Sequence, residues 1–232
     1  MLARLLAPAR CVGCDRGSWP LCGPCRDAVS VVVPPLCLRC GRPAEEALTA
    51  CADCPPRPID TTRAPFLYEG PLARAIRGLK FSGWRSLVSH LGGAMAAVAD
   101  SPARVVTWVP LSAVRRCERG FDQAELLARA LASRTGRRPR RLLERVEDIP
   151  ARARLPGRER REIPEGAFAA AGAVPPTVLL VDDVLTTGAT AAACARALRR
   201  GGARRVDVLV AARSLRGAPV PARVRAAPSR AV

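Results

Sequence analysis

Two adjacent aspartates, Asp182 and Asp183, directly follow an apolar run, 178–181, that is typical of a buried strand. Two like charges a few ångströms apart repel each other, and burying either one without a partner is costly. A sequence selected only for folding would avoid such a pair at the end of a buried strand. We therefore expect a polar group to meet these carboxylates there.

Small hydroxyl residues and a glycine follow the aspartates in the segment VLTTGAT, 184–190, and a helix is predicted over 189–200. The connector then lies between a strand's carboxyl end and a helix N-terminus, where backbone N–H groups and hydroxyls can surround a phosphate. The aspartates are placed to accept hydrogen bonds from sugar hydroxyls, so the segment predicts a ribose 5-phosphate ligand. It has neither the Gly-Lys pair of a Walker loop nor the G-x-G-x-x-G of a dinucleotide-binding fold.

Eight of the ten cysteines form four C-x-x-C pairs between residues 11 and 54. This spacing lets a tight turn present two thiolates to one metal, and four pairs supply two tetrahedral Zn²⁺ sites. About 50 residues with few large apolar side chains cannot fold on a core alone, so the zinc is expected to be structural. Taken in chain order, the ligands are Cys11, Cys14, Cys22 and Cys25 for one zinc, and Cys37, Cys40, Cys51 and Cys54 for the other.

Two alternatives to this zinc assignment stay open. The four pairs can also be interleaved between the two metals. Disulfides or redox-active pairs are the other possibility, but a cytosolic chain without a secretory signal argues against disulfides. A redox C-x-x-C motif would normally occur once, after a strand.

A second polar segment follows the apolar run 104–111, which has the length of a strand. A helical pattern of apolar residues begins at Ala124, so the two predict a strand–loop–helix unit. The loop between them lies where an α/β sheet binds its ligand. A solvated run of charge is the alternative. The candidate ligand-binding residues of this loop are Ser112, Arg115, Arg116 and Arg119.

The elements around these sites are less regular. The proline-rich stretch 54–65 is predicted to be the linker to the main domain. Short strands are predicted at 66–70 and near 140–146. From Glu147 to Phe168 the chain is charged and interrupted by prolines. A segment of this kind is either an active-site lid or binding loop, or a variable surface loop.

The charge of the chain is strongly positive. Thirty-eight basic residues against twenty acidic ones give a net charge of +18, and Lys80 is the single lysine. Such a field attracts nucleic acid or phosphates, although an arginine-biased genome is an alternative explanation. No run approaches the roughly 18 apolar residues of a membrane span, and the apolar part of the opening residues 1–10 is too short for a signal peptide. We expect a soluble, cytoplasmic protein.

Several of these segments resemble known families. Two acids after an apolar strand, followed by T-T-G-A-T, resemble the 5-phosphoribosyl pyrophosphate (PRPP) loop of type I phosphoribosyltransferases. The segment VPLSAVRRCERGFDQAELLARALA, the segment RERRE…GAF and the cysteine pairs together resemble the ComF family, also called competence protein F. The resemblance extends from Cys11 to about Ser214.

The resemblance implies a fold and a site. The fold would be α/β, with a phosphoribosyltransferase-like, mostly parallel sheet flanked by helices after a small Cys-rich zinc-binding module. The module would span 1–58, the phosphoribosyltransferase-like domain 59–216 and a basic, disordered tail 217–232. Mg²⁺ would bridge the pyrophosphate and the ribose hydroxyls, with the loop after 104–111 near the pyrophosphate. The implied PRPP ligands are Asp182 and Asp183 for the ribose, and Thr186, Thr187, Gly188, Ala189 and Thr190 for the 5-phosphate.

Two functions are compatible with this resemblance. In the first, the protein binds PRPP with Mg²⁺ and single-stranded DNA, and takes part in DNA uptake (competence) or processing with other DNA-uptake or helicase proteins. In the second, it is an active phosphoribosyltransferase that transfers phosphoribose from PRPP to an unidentified acceptor. Aromatic residues are scarce, so DNA binding would depend on phosphate contacts more than on base stacking.

The chain departs from the family patterns at four positions. Thr186 stands where purine-salvage transferases resembling this motif carry an aspartate, which makes purine salvage a poor expectation. Ser112, Arg152 and Ile163 stand where the ComF pattern has other polar residues. Loop functions that depend on those residues are not expected here.

Overall fold

A computed structural model describes residues 10–146, 163–164 and 166–215 of the chain. The strands are β1 (Thr62–Arg63), β2 (Phe66–Leu67), β3 (Val105–Trp108), β4 (Arg138–Pro139), β5 (Leu143–Arg145), β6 (Phe168–Ala170), β7 (Thr177–Leu185) and β8 (Arg205–Arg213). The helices are α1 (Gly23–Asp27), α2 (Gly70–Phe81), α3 (Leu87–Ala97), α4 (Ala113–Arg119), α5 (Gln123–Thr135) and α6 (Ala189–Arg200).

Six of these strands form the central sheet, in the order β1-β8-β7-β3-β4 with β2 also paired to β8. Every pair described in this sheet is parallel. The two long strands β7 and β8 lie in the middle and are mostly buried, because helices cover both of their faces. The expected fold class, a mostly parallel sheet flanked by helices after a small Cys-rich module, is confirmed.

The alternation of side chains along β7 and β8 divides the core into two layers. Leu179, Val181 and Leu209 pack in one cluster with buried residues of α2, α3 and α5. Val178 and Leu180 pack in a second cluster with α6 and with the antiparallel pair β5–β6. The site at the carboxyl ends of the strands can therefore receive side chains from both faces of the sheet.

In its described part, from residue 10 onwards, the Cys-rich module has no core of its own. Cys11, Val12 and Leu21 belong to the same buried cluster as Leu72 and Ile76 of α2. In addition, Val31 bridges to Phe66 of β2. The module therefore packs directly onto the helix that follows the first edge strands of the sheet.

Several local predictions need correction. The segment after β3 is a short helix, α4, and not a loop; the Ser112 hydroxyl caps it by accepting a hydrogen bond from the Arg115 N–H at 3.3 Å, and Gly120 ends it with φ of 71°. The strand expected near 140–146 is β5, which pairs with β6 outside the central sheet. The strand expected over 66–70 is confined to β2, because α2 begins at Gly70.

Some expectations fall on residues outside the described ranges. These are most of the charged segment, 147–162 and 165, with Arg152 within it, and the tail 217–232. Ile163 is described and packs against the cluster under α6. Within the described part of the chain, none of the helices combines the length and the apolar character needed to cross a membrane.

Candidate functional site

The first group of four sulfur atoms has the geometry of a zinc site. The Sγ atoms of Cys11, Cys14, Cys22 and Cys25 all lie within 4.8 Å of one another. The Sγ atoms of Cys14 and Cys22 are 3.7 Å apart, close to the roughly 3.8 Å separation in a tetrahedron with Zn–S distances of about 2.3 Å. Backbone N–H groups of Gly13 and Cys22 point at the Cys11 sulfur, at 3.3 and 3.2 Å. Such donors stabilise a thiolate.

The second group is equivalent. The Sγ atoms of Cys37, Cys40, Cys51 and Cys54 also lie within 4.8 Å of one another. Cys37 and Cys54 are 3.6 Å apart and Cys40 and Cys51 are 3.5 Å apart, far beyond the roughly 2.05 Å of a disulfide. The sulfur atoms cluster in the two groups expected from chain order, and the interleaved and disulfide alternatives do not match these positions. Four thiolates without an open coordination position fit a structural ion.

Within the acidic pair at the end of β7, Asp183 has partners on two helices. Asp183 is buried, and its Oδ1 atom lies 2.9 Å from the ammonium of Lys80, the last charged residue of α2. Its Oδ2 atom accepts a hydrogen bond from the Gln123 amide at 2.9 Å. Gln123 in turn accepts a hydrogen bond from the Arg119 guanidinium at 3.0 Å. A polar chain therefore runs from α4 through α5 to β7 and α2.

Asp182 leaves β7 on the opposite face, because successive side chains of a strand alternate. Burial, and then the neighbouring Asp183 carboxylate, raise the pKa of Asp182 to about 8. The carboxyl lies near α6, where burial, and then the Asp182 charge, raise the pKa of the Cys194 thiol. The repulsion within the pair is thus relieved in two ways: Asp183 is paired with a lysine, and the raised pKa of Asp182 favours its neutral form. The two predicted diol ligands are adjacent in sequence, but their side chains lie on different faces.

The predicted phosphate loop connects β7 to α6. Gly188 has φ of 77° and begins the first turn of α6, and the Thr187 hydroxyl accepts a hydrogen bond from the Ala189 N–H at 3.0 Å. The loop residues Thr186, Thr187, Gly188, Ala189 and Thr190 therefore surround a helix N-terminus. This end of the helix has unsatisfied N–H groups and a positive partial charge, which favour an anion.

The basic residues after β3 occupy different positions in α4. Arg119 joins the polar chain through Gln123 and lies over the Phe81 ring, 5.0 Å from its centroid. Arg116 lies 3.6 Å from the Asp122 carboxylate, while Arg115 is exposed. Burial raises the pKa of Asp122, which nevertheless accepts backbone hydrogen bonds at the start of α5. Only Arg119 of the predicted arginines is thus linked to the acidic pair.

Sequence reasoning did not identify Lys80 or Gln123 as site residues. Lys80 is separated from Asp183 by about a hundred positions in the chain, and nothing in its local pattern indicates a ligand site. One signal in the sequence could have identified Lys80, because it is the single lysine among 38 basic residues. Gln123 was within the recognised segment 109–132, but its partner could not be predicted.

Comparisons with known proteins find matches to parts of the chain. A family model described as a double zinc ribbon domain matches residues 2–55. Together with the sulfur positions, this match supports structural zinc in both groups. The chain is 25% identical to a glutamine PRPP amidotransferase structure from B. subtilis, with a TM-score of 0.39, and the match covers 54% of this chain but only 26% of that one.

Two curated relatives match over nearly their whole length. The DNA utilization protein YhgH of Salmonella typhimurium is 31% identical over 210 residues, which cover 85% of this chain and 92% of the relative. The competence protein F of Haemophilus influenzae is 29% identical over 230 residues, which cover 88% of this chain and 97% of the relative. With this similarity and a double zinc ribbon ahead of a parallel α/β sheet, the chain belongs to the ComF family.

Proposed function

We propose that the chain binds PRPP with Mg²⁺ at the carboxyl end of its parallel sheet and handles single-stranded DNA in DNA uptake or processing. In this proposal the loop Thr186–Thr190 holds the 5-phosphate, and Asp182 and Asp183 accept hydrogen bonds from the ribose hydroxyls. We propose that the protein acts in the cytoplasm. We also propose that the chain divides into a zinc-binding module, 1–58, a phosphoribosyltransferase-like domain, 59–216, and a basic tail, 217–232.

One observation carries this proposal. The groups that such a ligand requires lie at a single edge of the sheet. They are an anion-accepting helix N-terminus at Gly188, carboxylates at the end of β7, and the cations Lys80 and Arg119. A sugar phosphate with a second, more highly charged phosphate group matches this arrangement. A ligand with only one of these parts would contact only some of these groups.

The ligand-free chain keeps these charges paired internally. Lys80 and Gln123 each contact one oxygen of Asp183, and we propose that a ribose hydroxyl replaces Lys80 there. In the proposed complex Lys80 turns from Asp183 towards the pyrophosphate, and ribose hydroxyls replace it as donors. Mg²⁺ takes oxygen ligands, and the pyrophosphate, the ribose hydroxyls and the carboxylates at this edge are all oxygen donors.

The DNA part of the proposal rests on charge and on relatives. The net charge of +18 favours a polyanion, and one relative is named a DNA utilization protein while another is named a competence protein. Arg115 adds exposed positive charge on α4, the helix that follows β3. We propose that DNA is bound through phosphates and without sequence preference.

A second candidate is phosphoribosyl transfer to an acceptor, and the polar chain through Arg119 favours it. In that reaction the bond from the anomeric carbon to pyrophosphate breaks and its electrons leave with the pyrophosphate. A lone pair of the acceptor then forms the new bond, and the acceptor proton is released. The intermediate state is cation-like, so catalysis depends on positioning and charge and needs no nucleophilic side chain.

Calorimetric titration tests the proposal. PRPP is titrated into the protein with and without Mg²⁺, and pyrophosphate release is then measured across a panel of bases and amines. Mg²⁺-dependent binding that is lost in the Asp182→Asn, Asp183→Asn double variant is the expected result. Absence of PRPP binding to folded, zinc-loaded protein would contradict it, and acceptor-dependent pyrophosphate release would favour the transferase over the DNA-handling protein.

A further inference from the structure

The second zinc group touches the phosphate loop. A Cβ atom added to Gly188 would lie 2.6 Å from the Cβ of Pro55 and 3.5 Å from its Cα. Pro55 directly follows Cys54, one of the four sulfur ligands of this group. Only one peptide bond therefore separates a predicted zinc ligand from the residue that packs against the left-handed glycine of the loop.

A buried arginine makes a second connection. Arg213, at the end of β8, is 3% exposed; its guanidinium donates a hydrogen bond to the carbonyl of Cys40 and lies 3.6 Å from the Cys40 sulfur. Arg213 is paired in register with Leu185, the last residue of β7 before the loop. The sulfur group is thus attached to the strand end from which the phosphate loop leaves.

The same contact surface encloses a small cavity. Its volume is about 100 Å³, and it lies between residues of the second sulfur group on one side and the start of the loop and the end of β8 on the other. The second sulfur group is also attached to the edge strand β1, because the Thr62 N–H donates a hydrogen bond to the Arg39 carbonyl at 2.8 Å. The residues that line the cavity include Asp53, Cys54, Thr186, Arg213 and Ser214.

The first sulfur group contacts a different region. A Cβ on Gly13 would lie 2.9 Å from Pro71 in the first turn of α2, and the ring of Trp19 meets Trp84 edge-on with centroids 6.0 Å apart. These contacts support α2 and the core beneath it. The two zinc groups are chemically alike but support different elements, so each serves as a control for the other.

We propose that the second zinc site positions the phosphate loop, so that metal at Cys37, Cys40, Cys51 and Cys54 raises the affinity of the loop for the phosphate end of its ligand. A loop with a residue at positive φ is costly to order, and binding is tighter when that ordering is complete beforehand. Zinc fixes Cys54 and therefore Pro55, which in turn restricts Gly188. This inference rests on the proposed function for its ligand, but the coupling itself is a property of the chain.

Matched cysteine variants test the coupling. Cys51→Ser removes one ligand from the second group and Cys14→Ser one from the first, and each protein is expected to retain one zinc by elemental analysis. The Kd for PRPP with Mg²⁺ should rise about tenfold more in Cys51→Ser than in Cys14→Ser. Equal affinities in two folded variants that each hold one zinc would overturn the inference.

Two further measurements keep the test independent of folding defects and of the ligand. Pro55→Gly removes the contact with Gly188 without removing a sulfur ligand, and it should weaken PRPP binding while both zinc ions remain. Amide hydrogen exchange in Thr186–Thr190 should become faster in Cys51→Ser but not in Cys14→Ser, with no ligand present. If wild-type protein does not bind PRPP, the proposed function fails, whereas unchanged exchange in Cys51→Ser overturns the coupling alone.

Discussion

The ammonium of Lys80 lies 2.9 Å from the Oδ1 atom of Asp183, so the single lysine of the chain neutralises the buried member of the acidic pair. Arginine serves at 37 of the 38 basic positions. An ammonium is a compact point charge, whereas a guanidinium is a planar fork with five donors. The exception to the arginine usage of the chain therefore occurs beside a buried carboxylate.

Replacing Lys80 should affect binding even when the charge is kept. Lys80→Arg should weaken PRPP binding, because the larger guanidinium cannot occupy the same position between Asp183 and the ligand. Lys80→Ala should lower the free energy of unfolding by about 1–3 kcal/mol, because Asp183 would lose a charged hydrogen-bond partner. Calorimetry and urea denaturation measure the two effects. Arg77→Ala, at an exposed position of the same helix, is the control, and equal effects of Arg77→Ala and Lys80→Ala would contradict the assignment.

The raised pKa of Asp182 predicts a pH-dependent stability. The folded value of about 8 lies above the roughly 3.9 of an unfolded aspartate. Between these pH values the folded chain holds a proton that the unfolded chain has lost, so the free energy of unfolding falls as pH rises from about 4 to about 8. Asp182→Asn removes this titrating group. The difference in Tm between Asp182→Asn and wild type should therefore increase in favour of the variant as pH rises from about 4 to about 8. Above about pH 8 this difference should be constant.

The same titration should act on the ligand in the opposite direction. A ribose hydroxyl donates more strongly to an ionised carboxylate, so PRPP affinity of the wild type should increase as Asp182 loses its proton. Asp27→Asn, at an exposed position of α1, is the control for both measurements. A Tm difference between Asp182→Asn and wild type that does not change with pH would rule out this titration.

The arginines of α4 should contribute to DNA binding by neutralising phosphates. Arg115, Arg116 and Arg119 replaced by alanine should flatten the salt dependence of single-stranded DNA affinity, by about 0.7 in the log–log slope for each phosphate that is no longer neutralised. Fluorescence anisotropy at several salt concentrations measures this slope. The matched control replaces three exposed arginines at the amino ends of strands, Arg104, Arg138 and Arg204.

A second outcome of that experiment concerns the ligand site. If PRPP competes with DNA for the wild type but not for the α4 variant, the two ligands share the edge of the sheet. An equal decrease of the slope in the control variant would indicate that DNA binding depends on overall charge and has no preferred site on α4.

Zinc should stabilise the whole chain and not only its first segment. Two Zn²⁺ per chain are expected by elemental analysis. Because Cys11 and Cys25 share a buried cluster with α2, α3 and α5, loss of the first zinc in Cys14→Ser should lower the Tm of the sheet as well. Circular dichroism at a helical wavelength follows that transition. An unchanged transition of the helices in a variant with one zinc would contradict this prediction.

The parts of the molecule that depend on short spacings could be predicted from the sequence. The four C-x-x-C pairs were assigned to two groups in chain order, and the strand, loop and helix from β7 to α6 were recognised, because each involves residues close together in the chain. The pairing of β5 with β6 outside the main sheet and the contacts of Asp183 with Lys80 and Gln123 were not predicted. These depend on tertiary packing between distant segments.

The orientation of the acidic pair could have been anticipated from strand geometry. β7 continues to Leu185, beyond both aspartates, and residues of a strand alternate between its faces. The sequence pattern already placed both aspartates in the strand, so alternation directs one carboxyl towards α2 and α5 and the other towards α6.

The single lysine also makes the site chemically addressable. Lys80 carries the only side-chain amine of the chain, so an amine-selective reagent has one side-chain target, at the edge where the ligand is proposed to bind. While it is held in the ion pair with Asp183, the ammonium is a poor nucleophile. The rate of its acylation, followed by mass spectrometry, therefore reports on whether the amine is held in an ion pair.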